Sequence, residues 1–213
     1  MNTQLSLYNR ALTYLGERKL ASLSENREPR RVLDDIWNGG VKFCLEQGQW
    51  KFALRTSKLI YAPEIEPSFG YPRAFEKPED CVRVAKLCSD EFFNQPLLQY
   101  TEEAGFWFAE LDEIYISYVS DHVSFGNDLS LWPESFVKWV ALHFACEGGK
   151  RITQATTDLE KLEKLKKMAK TDALSKDALQ GPTQFMPQGS WARARTLGDS
   201  NSWDRGNRSQ LIG

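Results

Sequence analysis

Residues 28–55 read EPRRVLDDIWNGGVKFCLEQGQWKFALR, and within them one periodicity gives way to another. Pro29 suits a first helical turn, where its missing N–H costs no bond. Val32, Leu33, Ile36, Trp37, Val41, Cys44 and Leu45 then recur at three- and four-residue spacing, which builds one apolar stripe on a helix. Gly48 is expected to end it. Past the glycine the period falls to two: Trp50, Phe52 and Leu54 are expected to point one way, Lys51, Ala53 and Arg55 the other. The stretch therefore predicts a junction between a helical layer and a small sheet. Two adjacent glycines, Gly39 and Gly40, weaken a helix by roughly 1 kcal/mol each relative to alanine, so a close crossing or a kink is expected there.

Upstream, Leu5, Tyr8, Leu12 and Leu15 predict a first amphipathic helix, with Thr3 as its N-cap and Gly16 at a left-handed cap. Leu20 and Leu23 anchor the connector to the next helix. Downstream, Pro63, Pro67, Gly70, Pro72, Pro78 and Pro96 cut residues 50–121 into short pieces, the pattern of a small antiparallel sheet. Its clearest strands are Trp50–Ile60, Cys81–Cys88 and Glu113–Val119, with weaker candidates at Gln95–Tyr100 and Ala104–Phe108. Helix resumes at Leu131-Trp132-Pro133-Glu134, where Phe136, Trp139, Val140, His143 and Phe144 share a face and Gly148-Gly149 bends or ends it. Thr157-Asp158-Leu159-Glu160 has the form of a capping box. Leu159, Leu162, Leu165 and Ala169 continue a narrow stripe towards Leu174 and Leu179, flanked by lysines. The expected fold class is mainly α: a helical bundle (about 3–48 and 132–180) with an inserted antiparallel β-subdomain (about 50–121) and an extended C-terminal arm (181–213).

Composition bounds the function. The 213 residues carry 27 Lys and Arg against 29 Asp and Glu, a net charge of -2, so there is no global excess of cations to grip nucleic-acid phosphates. Seven tryptophans are many for this length and suggest contact surface. The four cysteines are dispersed without a C-x-x-C pair, which predicts free thiols in a reducing compartment. No signal-peptide pattern opens the chain and no run of about 18 apolar residues occurs, so folding in a cytoplasm, off the membrane, is expected.

Candidate chemistry is thin. His143 and Cys146 are three apart with Glu147 next, spacing that permits an activated thiol on a helix, although burial on the apolar stripe is the commoner fate of such residues. The paired acids Asp34-Asp35, Glu79-Asp80, Glu102-Glu103 and Asp112-Glu113 do not face one another on a helix or a strand. Neither a metal-ligand spacing nor a phosphate-binding glycine motif is present, so no metal, no cofactor and no catalytic residue is expected. The lysines of 161–170 alternate with Glu160 and Glu163, the pattern of a salt-bridged surface. The last stretch, 182–213, is polar and without period, yet holds Phe185, Met186, Trp191 and Trp203 with four arginines against two aspartates. Aromatic and arginine side chains on an extended segment suit a docking arm.

The order of short motifs resembles a known family. A-L-x-x-L-G-E at Ala11–Glu17 is followed by S-L-x-E at Ser22–Glu25, W-K-F-A at Trp50–Ala53, P-x-D-C-x-R-V at Pro78–Val84 and W-P-x-x-F at Trp132–Phe136. Together they resemble the tail tubular protein A, or head-to-tail adaptor, family of short-tailed bacteriophages, over roughly residues 5–150. G-S-W-A-R-A-R at Gly189–Arg195 is compatible with it. The resemblance implies a non-enzymatic virion protein, assembled in the bacterial host cytoplasm, that forms a twelve-copy homo-oligomeric ring. That ring would join the portal protein to the tail nozzle protein and let DNA pass through the channel without sequence-specific binding. It also implies portal contact through the arm residues Phe185, Trp191, Arg193, Arg195 and Trp203. The alternative is a DNA-binding accessory protein that uses the basic arm.

Overall fold

The computed structural model describes residues 2–65, 67, 69–153 and 157–181, with backbone only at 157 and 158. Helix α1 (Gln4–Tyr14) and helix α2 (Glu28–Glu46) open the chain. Six strands follow: β1 (Leu54–Ile60), β2 (Arg73–Glu76), β3 (Cys81–Cys88), β4 (Thr101–Glu103), β5 (Phe106–Ala109) and β6 (Glu113–Ser120). Helices α3 (Glu134–Thr153) and α4 (Thr157–Leu179) close it. The mainly α expectation is corrected: the described residues are 43% helical and 20% strand, a mixed α and β fold. The proline-punctuated middle folds not as one small sheet but as two three-stranded antiparallel sheets, ordered β1-β6-β3 and β2-β5-β4. Two sheets can cover one another's apolar faces, which one sheet facing water cannot.

The local signals at the helix starts are realised. Thr3 accepts from the Ser6 amide while the Ser6 hydroxyl takes the Thr3 N–H, a reciprocal cap on α1. Gly16 sits at φ +72 just past that helix, where a side chain would be strained. Pro29 lies in the first turn of α2. At its other end α2 stops at Glu46, with Gln47 as a right-handed cap, so Gly48 is not the terminator. It is a point of close approach instead, since a Cβ there would meet Leu174 at 2.8 Å and the Trp50 ring at 2.9 Å.

Residues 50–53 also depart from expectation. They do not begin a strand: Lys51–Ala53 form a 3-10 turn closed by the Ala53 amide on the Trp50 carbonyl at 2.9 Å. The indole of Trp50 drives this, because it is fully buried and donates to the Cys44 carbonyl at 3.1 Å. β1 therefore starts at Leu54, opposite Val119 of β6. The strands expected at 81–88 and 113–119 form, and pair through two bulges. Gln95–Tyr100 contributes only an isolated bridge from Pro96 to Cys88, while the sequence pattern missed β2 and the three-residue β4. Both are edge strands too short to show an alternation.

Helix α3 is the element the others surround, packing against α1, α2 and α4. Beyond the expected stripe it also buries Val137, Ala141, Leu142 and Ala145, so it is enclosed nearly all round. Gly148 and Gly149 do not end it, since α3 runs on to Thr153. They let it pass close to Val32 of α2 and Leu159 of α4. On α4 the buried side chains are Leu159, Leu162, Ala169 and Ala173, whereas Leu165 and Leu179 are exposed, contrary to the predicted stripe. The Thr157 side chain of the expected capping box lies outside the described residues.

The apolar side chains form two clusters. One joins the four helices to the foot of the β1-β6-β3 sheet through Ala53 and Val119. The other fills the space between the two sheets with Phe75, Leu87, Trp107, Ala109, Ile114, Ile116 and Tyr118. Of the seven tryptophans, Trp50, Trp107, Trp132 and Trp139 are buried in these cores and Trp37 packs half-buried against the first, so these five are not free contact surface; Trp191 and Trp203 lie outside the described residues.

Candidate functional site

Three groups of residues carry the sequence-based expectations, and the structure treats each differently. The first is the helix-to-sheet junction. Trp50, Phe52, Trp132, Phe136 and Trp139 form a continuous aromatic cluster, with Trp50 4.8 Å and Phe52 4.8 Å from Phe136, and Trp132 4.9 Å from it edge-on. The Trp132 indole N–H donates to the Gly126 carbonyl at 2.8 Å. Two of the quoted motifs, 50–53 and 132–136, thus meet in one packing unit.

The third strand enters this region at Asp80. Its carboxylate accepts from Arg55 Nη1 at 2.9 Å, from the Tyr118 hydroxyl at 3.1 Å and from the Ser120 hydroxyl. Burial alone would raise this carboxyl, but the bonds from Ser120, Arg55 and Tyr118 outweigh it and hold it below the usual carboxylate range. Burial, reinforced by the same carboxylate, pushes the Tyr118 phenol up to about 12. Asp80 thus ties β1, β3 and β6 together. In the sequence Asp80 stood out only as half of an acidic pair and as one position of the Pro78–Val84 motif, with no sign of its partners.

The second group is His143, Cys146 and Glu147. His143 is buried on α3 and stacks on Phe43 of α2, centroids 4.9 Å apart at 15°. Its Nε2 has no hydrogen-bond partner; Glu147 Oε1 lies 3.2 Å away but out of alignment. Burial, helped by the charge of Lys166, pulls the imidazole down to about 4, so it is neutral at pH 7. Burial also raises the Cys146 thiol, the opposite of what an activated nucleophile requires. The pair therefore has the properties of core residues. All four cysteines are free thiols, and Cys44, fully buried, is raised further. Among the described residues no group of three or more His, Cys, Asp or Glu is placed to hold a metal ion, and no helix is long and apolar enough to cross a membrane.

The third group is the arm. Phe185, Trp191, Arg193, Arg195 and Trp203 lie outside the described residues. No family model and no curated protein sequence matches this chain.

Two surface features were not legible as patterns. An apolar groove runs between Tyr14 and Leu15 of α1 and Leu159, Leu162 and Leu165 of α4. At the sheet end, Tyr71 is shared by two depressions, one lined by Leu97, Leu98 and Leu111, the other by Ile65, Phe69 and Phe108. Each gathers residues from segments far apart in sequence, which no local period can reveal.

Proposed function

We propose that this protein is a head-to-tail adaptor of a short-tailed bacteriophage, a structural subunit that assembles into a ring between the portal and the tail nozzle. One observation carries the reading: the motifs that resemble the adaptor family coincide with the joints of the fold. Ala11–Glu17 forms the end of α1 and its Gly16 turn. Trp50–Ala53 is the tight turn between α2 and β1, Pro78–Val84 brings in the Asp80 carboxylate, and Trp132–Phe136 opens α3 against Trp50. Residues that form the joints serve a framework, and a framework is what a ring subunit supplies.

The electrostatics favour the same reading. A channel through which DNA slides needs walls that do not grip phosphates, and a chain of net charge -2 meets that condition. The arm residues Phe185, Trp191, Arg193, Arg195 and Trp203 are assigned to portal contact, in the manner of aromatic and arginine anchors at interfaces. The test is the particle mass of the purified chain, alone and mixed with the portal ring of the same phage. A ring in either condition supports the adaptor reading. Monomers in both would overturn it, and a steeply salt-dependent duplex affinity would install the DNA-binding reading in its place.

A further inference from the structure

Two surfaces of residues 1–180 are built from different elements, one from α1 and α4, the other from β4, β5 and the segments beside them. Both surfaces carry exposed apolar side chains, and their charges are opposite. At the helical end the α1–α4 groove is lined by Tyr14, Leu15, Leu162 and Leu165 with Lys161. It continues through Thr13 and Tyr14 into a second depression that holds Arg10 and Lys19. Arg10 is engaged by Glu134 and Lys161 also has an interaction of its own; among the described residues no acidic side chain lines either depression.

At the sheet end the arrangement is reversed. Phe69, Phe92 and Leu98 are 90%, 74% and 84% exposed. Among the described residues the charged side chains lining the two depressions that share Tyr71 are Glu103 and Glu110, both acidic. Residues 61–113 carry twelve acidic and four basic side chains, while the whole chain is only -2, so the remainder is net positive. Apolar residues left in water at both ends favour burial against a partner. Like ends repel, and unlike ends attract, which selects one orientation.

We propose that copies of this chain bind head to tail, the acidic aromatic sheet end of one seated in the basic α1–α4 groove of the next. Such an interface is heterologous, and it generates a ring where the rotation closes and a filament where it does not. The contact deepens the ring reading and rests on it for closure alone. Complementary charge around an apolar centre also predicts association that weakens as salt rises.

The experiment uses two full-length variants and sedimentation mass over a range of concentration and salt. The first, Glu103→Lys with Glu110→Lys, makes both ends basic; the second, Lys19→Glu with Lys161→Glu, makes both acidic. Each alone is expected to self-associate at least about tenfold more weakly than the native chain, because like charges then face each other. Mixed in equal amounts, the two are expected to recover association, since each basic end meets an acidic one. All four positions are at the surface, and unchanged thermal unfolding will show that both variants fold. Leu98→Ser, on an exposed side chain, is expected to weaken association without any change of charge. A native chain that stays monomeric at all concentrations would overturn the proposal, as would variants that assemble normally or a mixture that does not. Portal binding is scored separately: its failure with self-association intact counts against the adaptor reading alone.

Discussion

Gly40 of α2 lies directly beneath the ring of Phe144 of α3: a Cβ added there would come closer than 3.0 Å to Cε1, a distance real Cβ atoms do not adopt. Its neighbour Gly39 meets nothing within 4 Å. The pair divides the expectation for a double glycine, one residue being a packing requirement and the other a solvent-facing position.

Opposite effects follow for one substitution. Gly39→Ala is expected to stabilise the protein by roughly 0.5–1 kcal/mol, because alanine restricts the unfolded chain and favours helix. Gly40→Ala is expected to destabilise by about 1–3 kcal/mol through overpacking against Phe144, which exceeds the same helical gain. Urea unfolding of the two variants checks this, and equal shifts in one direction would refute the crossing.

Asp80→Asn removes a charge-assisted acceptor from Arg55 while leaving the shape, and is expected to cost about 1–3 kcal/mol. The native carboxyl is held below its usual value of 3.8, so the unfolded chain takes up its proton first as pH falls. Its contribution to stability is therefore present above 3.8 and is lost as pH drops through the lower folded-state value. Denaturant midpoints at pH 7 and near pH 3 should show the variant's deficit shrinking in acid.

His143 gives a second acid-sensitive contribution, in a different window. The folded imidazole titrates at about 4 and the unfolded one at 6.5, so between these values the unfolded state alone binds the proton. Stability is thus expected to fall as pH is lowered from 6.5 towards 4. His143→Gln should flatten that part of the profile; an identical slope in the variant would mean that the histidine is not held neutral.

Trp50→Ala is expected to cost about 3–5 kcal/mol, since it empties the centre of the aromatic cluster and removes the indole donor from the Cys44 carbonyl, which keeps the Gln47 N–H. Trp50→Phe should be milder. Thermal unfolding of the pair will separate the lost volume from the lost hydrogen bond.

Removal of Gly181–Gly213 is expected to abolish portal attachment while leaving the unfolding transition of residues 1–180 unchanged. Normal attachment by the shortened chain would overturn the assignment of Phe185, Trp191, Arg193, Arg195 and Trp203 to the portal.

The starts of α1, α2 and α3 and the strands expected at 81–88 and 113–119 were determined by the sequence alone, because caps, prolines and apolar periods act within a few residues. The close passage of Gly40 under Phe144 was half visible, as a glycine pair without its partner. Tertiary structure decided the rest. Two sheets form because Phe75 and Trp107 need the face of Ile114 and Ile116 to leave water, a need that no single strand displays. Trp50 turns back into the helical core instead of starting a strand because a buried indole outweighs a weak local alternation. Asp80 became a tie among three strands, and the opposed apolar ends came into being, only when residues far apart in the chain were folded side by side.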